Sequence, residues 1–450
     1  MKELKSYPAI TCDSRKVTPG CLFIAVKGKD ADGNAYAQAA LDAGAADVVT
    51  ADRRTLALMA DEYYDHPSGK LKLVGITGTN GKTTTVTLLY NLFRSLGYEC
   101  GMLSTIANWV GSRRSETVNT TSDPITTNAL LDEMVQAGCE YCFMEVSSIG
   151  LEQDRVTGLE FAAGIFSNLT HDHLDYHGTF AEYIRCKKLF FDSLPASASA
   201  IINTDDRNGS VMTQNCAAKV ITTSCRSGAD HRCRIMEESF EGMLLKLDGS
   251  EVWTRLVGAH NAYNILAAYS TALALGADRD EVLVALSTLE SAPGRLENIP
   301  GPRGINVIID YAHTPDALEN VLRTLRDICP ERPLVCVFGC GGDRDRTKRP
   351  EMAACAQKWA DRIFVTSDNS RTERTEDILE EIRTGFSAEG LRKAVFIADR
   401  KEAIRTAIML AERNSTVLLA GKGHETYQII GTTKAHFDER EIVQEIFKTL

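Results

Sequence analysis

Short apolar runs recur along the chain, at Leu22–Val26, Leu73–Thr77, Cys142–Val146, Gly164–Ser167, Val307–Asp310, Leu334–Phe338, Ile363–Thr366 and Val417–Ala420. They are continuous rather than alternating and largely β-branched, which predicts strands buried on both faces, as in parallel sheets. Helical spacing of apolar positions occupies Thr84–Leu96, Thr126–Gln136, Glu351–Ala360 and Arg400–Glu412 between them. Strand and helix in alternation predict an α/β fold of parallel sheets wound with helices. Turn-forming residues cluster at His66-Pro67-Ser68-Gly69 and at Ile299-Pro300-Gly301-Pro302-Arg303-Gly304. They divide the chain into 1–70, 71–300 and 301–450, and a length of 450 residues at roughly 150 per domain also points to three.

Composition narrows the class. With 44% hydrophobic and 25% charged residues the chain reads as an ordinary globular protein. No run approaches the roughly 20 apolar residues of a spanning helix. The first residues lack an apolar signal core, so the expected compartment is the cytoplasm, with no membrane partner. The 13 cysteines are scattered and odd in number, and the lone Cys139-x-x-Cys142 has no second pair at zinc-site spacing. A net charge of -11 argues against nucleic-acid binding and requires any phosphate ligand to be held by local donors. A monomer is the default expectation.

The strongest local motif is an apolar strand ending in Gly78-Thr79-Asn80-Gly81-Lys82-Thr83-Thr84 and opening a helix. Glycines let backbone N–H groups approach phosphate, the helix N-terminus favours an anion, Lys82 neutralises charge and Thr83 offers a hydroxyl to Mg²⁺. ATP is therefore expected here. A guanine-reading Asn-Lys-x-Asp is absent from the chain. Glu145 ends another strand, delivering a carboxylate to the sheet edge where open α/β proteins bind ligands, as a second candidate for Mg²⁺. Ser167–Gly178 then packs three histidines and two aspartates, of which His173 is the candidate for function, with capping or hydrogen bonding expected of His171 and His177.

Together Gly78–Thr83, Glu145–Ser148, Asn168–Gly178, Gly258–Asn264, Gly294-Arg295-Leu296-Glu297 and Asp310-Tyr311-Ala312-His313 resemble, in order and spacing, the Mur ligases. Asp13-Ser14-Arg15, Asp32-Gly33-Asn34 and Gly339–Pro350 resemble the branch of that family that adds a diamino acid, the MurE branch. The resemblance implies a small N-terminal α/β domain for the uridine nucleotide, a central P-loop ATPase-like domain and a C-terminal Rossmann-like domain for the amino acid. It implies a ligase for UDP-N-acetylmuramoyl-L-alanyl-D-glutamate that works through an acyl phosphate in peptidoglycan precursor synthesis. By the same resemblance Ser14 and Asn34 lie at the uridine end and Thr120, Thr121, Ser147 and Arg155 hold the muramyl substrate. Asn261 and Asn264 approach adenine, Arg295 and His313 the phosphates, and Asp310 the ribose. Lys187 stands where the family carries a carbamylated lysine, a carboxylate-like ligand for Mg²⁺ beside Glu145 and His173; the bland reading is a surface lysine.

For the diamino acid, Asp368-Asn369-Ser370-Arg371 resembles the Asp-Asn-Pro-Arg of members that add meso-2,6-diaminopimelate. Arg344 and Arg371 could grip its distal carboxylate, a group that lysine lacks. Gly421 and Glu425 match positions that hold its distal end. Ser370 replaces the proline, which is expected to loosen the backbone aiming Arg371. Ile149 and His260 also depart from the commoner family residues. An L-lysine-adding ligase is the nearer alternative, a folylpolyglutamate synthetase a more distant one. A non-catalytic ATP-binding regulatory protein, from another class, would be expected to have lost Lys82, Glu145, His173 or Lys187.

Overall fold

The computed structural model describes residues 3–27, 32–170 and 174–450, without the side chains of Leu174 and Asp175. Each apolar run named above falls in a strand, with Val146, Ser167 and Thr366 one residue past its end, and each helical pattern in a helix, with Leu96, Ala360 and residues 410–412 past the end. Two compact units result. The first comprises Met1–Cys233 and Tyr263–Leu286, the second Arg234–Ala262 and Ser287–Leu450.

Within the first unit, Ile10–Thr11, Leu22–Val26 and Asp47–Ala51 form a small parallel sheet. The larger sheet places Lys72–Thr77 between Phe161–Phe166 and Tyr141–Glu145. Ser199–Asn203 and Lys219–Ser224 continue it in parallel on one side, and Cys100–Leu103 on the other. Beyond Cys100–Leu103 run two short antiparallel strands, Asn108–Val110 and Arg113–Ser115. Leu73, Val74, Ile76, Phe143, Ala163 and Ile165 are almost fully excluded from solvent, as the absence of any polar alternation requires.

The second unit is built on a sheet ordered Glu297–Pro300, Asn306–Asp310, Thr416–Ala420, Leu334–Phe338, Arg362–Val365, Ala394–Phe396. Only the first pairing is antiparallel. Two apolar clusters cover its faces, one around Leu318, Leu322, Phe338 and Met352, the other around Val337, Ile404, Leu419 and Val443. All thirteen cysteines are free. Among the described residues no helix is long and apolar enough to cross a membrane.

Candidate active site

Adjacent parallel strands end at one edge, and the register fixes what meets there. Ile76 pairs with Glu145 and Thr77 with Phe166, so the loop after Thr77, the carboxylate of Glu145 and the Ser167-Asn168 segment share that edge. Gly81 has φ +87°, a left-handed conformation that a side chain disfavours, and the Asn264 amide oxygen occupies the space where a Cβ would project. The helix Lys82–Ser95 starts at this turn.

Lys82 folds back over the loop, its Nζ donating to the carbonyls of Gly78 and Thr79, each at 2.9 Å. Thr83 Oγ1 donates to Glu145 Oε1 at 2.8 Å. That buried carboxylate also accepts from Thr105 N at 2.9 Å and Thr105 Oγ1 at 3.2 Å. Lys187 is 1% exposed, which removes the surface-lysine reading. Its Nζ donates to the same Gly78 carbonyl at 2.8 Å and lies 4.7 Å from the centre of the Tyr183 ring. Thr83, Glu145, Lys82 and Lys187 thus surround one loop. His173, with His171, lies outside the described residues. His177 is described, its Nε2 2.9 Å from Ser148 Oγ. Hydroxyl and carboxylate oxygens are the donor chemistry that suits Mg²⁺. Among the described residues no group of three or more His, Cys, Asp or Glu converges as a ready cation cage.

Thr120 and Thr121 reach the same edge. Thr105 Oγ1 donates to Thr120 Oγ1 at 3.1 Å, and Thr121 Oγ1 lies 3.1 Å from Ser147 Oγ while accepting from Ser147 N at 2.9 Å. Arg155 Nη1 donates to the Thr121 carbonyl at 2.6 Å. Ser147 also caps the helix Ser148–Glu152. Asn264 accepts from Thr85 Oγ1 at 3.3 Å. In the N-terminal sheet region Asn34 is exposed and accepts from Thr50 Oγ1 at 2.6 Å, and Ser14 begins a short helical turn capped by Asp13.

The second unit holds the remaining candidates. Asn261 donates to the Val257 carbonyl at 2.7 Å. Asp310 is buried and accepts from Leu296 N at 2.7 Å and Ala312 N at 2.8 Å; burial pushes its carboxyl up. Arg295 stacks 4.9 Å from the centre of the Tyr311 ring, and His313 Nδ1 lies 2.8 Å from the Tyr311 carbonyl. Gly341 separates the two arginines: a Cβ there would lie 3.1 Å from Arg371 Nη1 and 3.6 Å from Arg344 Cγ. Arg371 Nη1 donates to the Gly342 carbonyl at 2.8 Å, while Arg344 is exposed. Asn369 Nδ2 donates to Glu425 Oε2 at 2.9 Å, and Gly421 follows the strand Thr416–Ala420 with φ +115° beside Asp368.

Ser370 does not leave its neighbour loose. Gly342 N donates to the Asn369 carbonyl at 2.9 Å, Arg371 N to Ile429 O at 3.2 Å and Gly431 N to Arg371 O at 2.7 Å, so backbone bonds from two segments do what a proline ring would do. Motif reading also missed residues that shape the site. Asn168 bonds Asn80 twice, accepting from its N at 3.0 Å and donating to its O at 3.2 Å. Thr105 holds Glu145, and Lys422 sits buried among Asp368, Asn369 and Glu425.

A phosphate-binding type of loop at a parallel sheet edge, in one chain with a second α/β unit that carries the Arg344, Arg371, Asp368 and Glu425 cluster, fits a P-loop ligase. The chain matches the Mur ligase family catalytic domain over residues 6–70, the Mur ligase middle domain over 76–272 and the Mur ligase glutamate ligase domain over 294–423. It is 49% identical to a Cytophaga hutchinsonii protein named UDP-N-acetylmuramoyl-L-alanyl-D-glutamate–2,6-diaminopimelate ligase, covering 98% of this chain and 95% of the relative. A solved structure bearing the same enzyme name is 32% identical with a TM-score of 0.70, covering 98% of this chain and 95% of the other. A MurF ligase from Thermotoga maritima, solved with ADP, shares the fold at 19% identity and a TM-score of 0.68, covering 100% of this chain and 99% of the other. The chain belongs to the Mur ligase family.

Proposed function

We propose that the protein is an ATP-dependent ligase of the cytoplasm that joins meso-2,6-diaminopimelate to UDP-N-acetylmuramoyl-L-alanyl-D-glutamate in peptidoglycan precursor synthesis. The observation that carries this reading is 49% identity, over nearly the full length of both chains, to a protein named for that reaction. Three domains are proposed: 1–70 for the uridine end through Ser14 and Asn34, 71–300 for ATP, and 301–450 for the diamino acid.

In the proposed chemistry the γ-carboxylate of the substrate's D-glutamate attacks the γ-phosphorus of ATP, ADP leaves, and an acyl phosphate forms. The diamino acid's amine then attacks the acyl carbon, phosphate leaves, and the amide remains after loss of a proton. Backbone amides of Gly78–Thr84 and the Lys82 ammonium offset charge gathering on the transferred group. In the second unit Arg295 and His313 are proposed for phosphate charge. Asp310 is proposed for a ribose hydroxyl, since each of its oxygens retains a second lone pair after accepting one backbone N–H. Asn261 and Asn264 are assigned to adenine, and Thr120, Thr121, Ser147 and Arg155 to the muramyl peptide. When bound, Mg²⁺ would neutralise phosphate charge, with Thr83, Glu145, His173 and Lys187 as its carbamate the proposed holders.

Arg344 and Arg371 flank Gly341, a spacing suited to a distal carboxylate. The test is incubation of the purified chain with ATP, Mg²⁺ and the UDP-linked dipeptide, with meso-2,6-diaminopimelate, L-lysine or L-ornithine in separate reactions. Phosphate release with a product of the added mass is expected from diaminopimelate alone. Product from lysine alone overturns the specificity, and absence of product with every acceptor returns the chain to a regulatory role.

A further inference from the structure

A buried lysine stands among the second unit's candidate diamino-acid residues without a role in the chemistry above. Lys422 follows the strand Thr416–Ala420, and its side chain is fully excluded from solvent. Its Nζ donates to the Tyr427 carbonyl at 2.8 Å and to Asn369 Oδ1 at 3.1 Å. It also lies 3.4 Å from Asp368 Oδ1 and 3.5 Å from Glu425 Oε2. One ammonium therefore touches three of the side chains assigned to the diamino acid.

The charges around it do not balance. Among the described residues, Asp368, Glu425 and Glu439 face two buried cations, Lys422 and Arg400, the latter paired with Glu439 at 2.8 Å. A buried charge left without a partner is unfavourable, and an incoming cation would relieve it. Asp368 is 8% exposed, and its Oδ1, 3.4 Å from Lys422 Nζ, accepts no well-aligned hydrogen bond among the described residues. That oxygen has room for one more donor.

We propose that Lys422 is a positioning residue: it gathers Asp368, Asn369 and Glu425 to one point, leaving one unmatched negative charge to receive an ammonium of the diamino acid. This rests on the reading of 368–371 and 421–425 as the diamino-acid site. For Asp368 the local electrostatics agree. Burial pushes Asp368 up, but Lys422 and then Arg400 bring it below the ordinary carboxylate range. Burial, and then Asp368 itself, pushes Glu425 up. Among the described residues Tyr311, His313 and Arg400 also face this pair, with Tyr427 beside Lys422 and His424 against Tyr311. Without Lys422 both carboxylates shift upward, and a protonated one no longer attracts an ammonium.

Steady-state kinetics of the full-length chain test this. Lys422→Met is expected to raise KM for diaminopimelate about tenfold or more, leaving KM for ATP and for the UDP-linked dipeptide unchanged. In that variant KM for diaminopimelate should fall as pH rises, as the shifted carboxylate ionises, an inflection absent from the unsubstituted enzyme. Lys422→Met/Glu425→Gln removes one charge of each sign, so it keeps the net balance and should lose the inflection; it also serves if the single variant fails to fold. A folded Lys422→Met with unchanged acceptor KM, or an inflection that persists in the double variant, overturns the proposal. Arg344→Ala and Asp368→Asn serve as the control for the underlying site. If neither raises the acceptor KM, it is the reading of the pocket that fails.

Discussion

Two ammonium groups on one carbonyl oxygen are an uneasy arrangement. Lys82 and Lys187 donate to Gly78 O at 2.9 and 2.8 Å, and at least one of them is deep in the protein. Addition of CO₂ to the Lys187 amine, with loss of a proton, would turn that repulsion into attraction and give the site an oxygen ligand for a hard cation. Lys187→Ala is accordingly expected to lower kcat about 10²-fold or more, with part of the loss restored by added acetate, which can supply the missing carboxylate in the vacated space. Methylammonium should not restore it. Rescue by methylammonium in place of acetate would mean that the side chain works as a cation. The position of this lysine was open to reading from periodicity. Tyr183, Cys186, Lys187, Phe190 and Phe191 form one helical stripe, all buried, so a lysine at that spacing belongs to the inner face. Lys188, one residue on, pairs with Asp192 and the Gln214 carbonyl. No comparable signal marks Lys422, which is flanked by glycines after a strand and reads as a loop residue.

At the scale of elements, the strands that carry the site were legible because they are buried on both faces, and the loops that aim its side chains were not. The stretch 339–350 has no periodicity. What fixes it is Arg349, fully buried, whose guanidinium reaches Glu373 at 2.9 and 3.0 Å and Glu381 at 2.7 Å. Asp343 N donates to Glu373 Oε1, which Arg349 Nη2 also reaches, at 2.6 Å, and Arg346 adds a bond to Oε2 at 2.7 Å. These bonds connect residues 24 to 32 apart in sequence, a pairing that no local pattern encodes. The antiparallel strand Ser250–Thr254 escaped for another reason: it alternates more exposed and buried positions and looks like a polar connection. Glu373 provides a test at this scale. Arg349 first, and then the Asp343 amide and Arg346, hold its carboxyl at about 2, against an ordinary 4.5. A depressed carboxyl contributes stability that is complete above its unfolded pKa and is lost as pH falls toward the folded one. Denaturant unfolding of the unsubstituted chain and of Glu373→Gln should therefore differ most above pH 4.5 and converge as pH approaches about 2. A difference independent of pH would show that the carboxylate charge does not hold the loop.

The whole molecule is two compact units, whereas the turn clusters and the resemblance divide it into three segments. The N-terminal segment is tied to the rest of the first unit by Arg53 and Glu152 at 3.5 Å and by Ser68, which accepts from Glu160 N at 3.0 Å. Ile125, from the helix Pro124–Gln136, also packs against the N-terminal apolar cluster around Ile10, Leu22 and Leu56, so this seam is partly apolar. The second unit has its own keystone in Arg400, whose guanidinium binds Glu439, Ser367 O and Ala420 O, with both charged side chains wholly buried. Losing one member of such a pair strands the other, at a cost of about 3–5 kcal/mol. Calorimetry of the full chain should therefore resolve more than one transition, as expected when separate cores need not unfold together. Arg400→Met should lower only the transition of the second unit. ADP, which binds the folded form alone, should stabilise the first unit, which carries the P-loop, by about 2.7 kcal/mol at a hundred times its Kd, and the second as well if Arg295, Asp310 and His313 hold it as proposed. A further transition insensitive to both would give residues 1–70 a stability of their own and favour the three-domain division. If instead the chain melts in one step that both perturbations move equally, the two units share a single cooperative core, and substitutions in the amino-acid pocket must then be judged for their effect on the nucleotide loop as well.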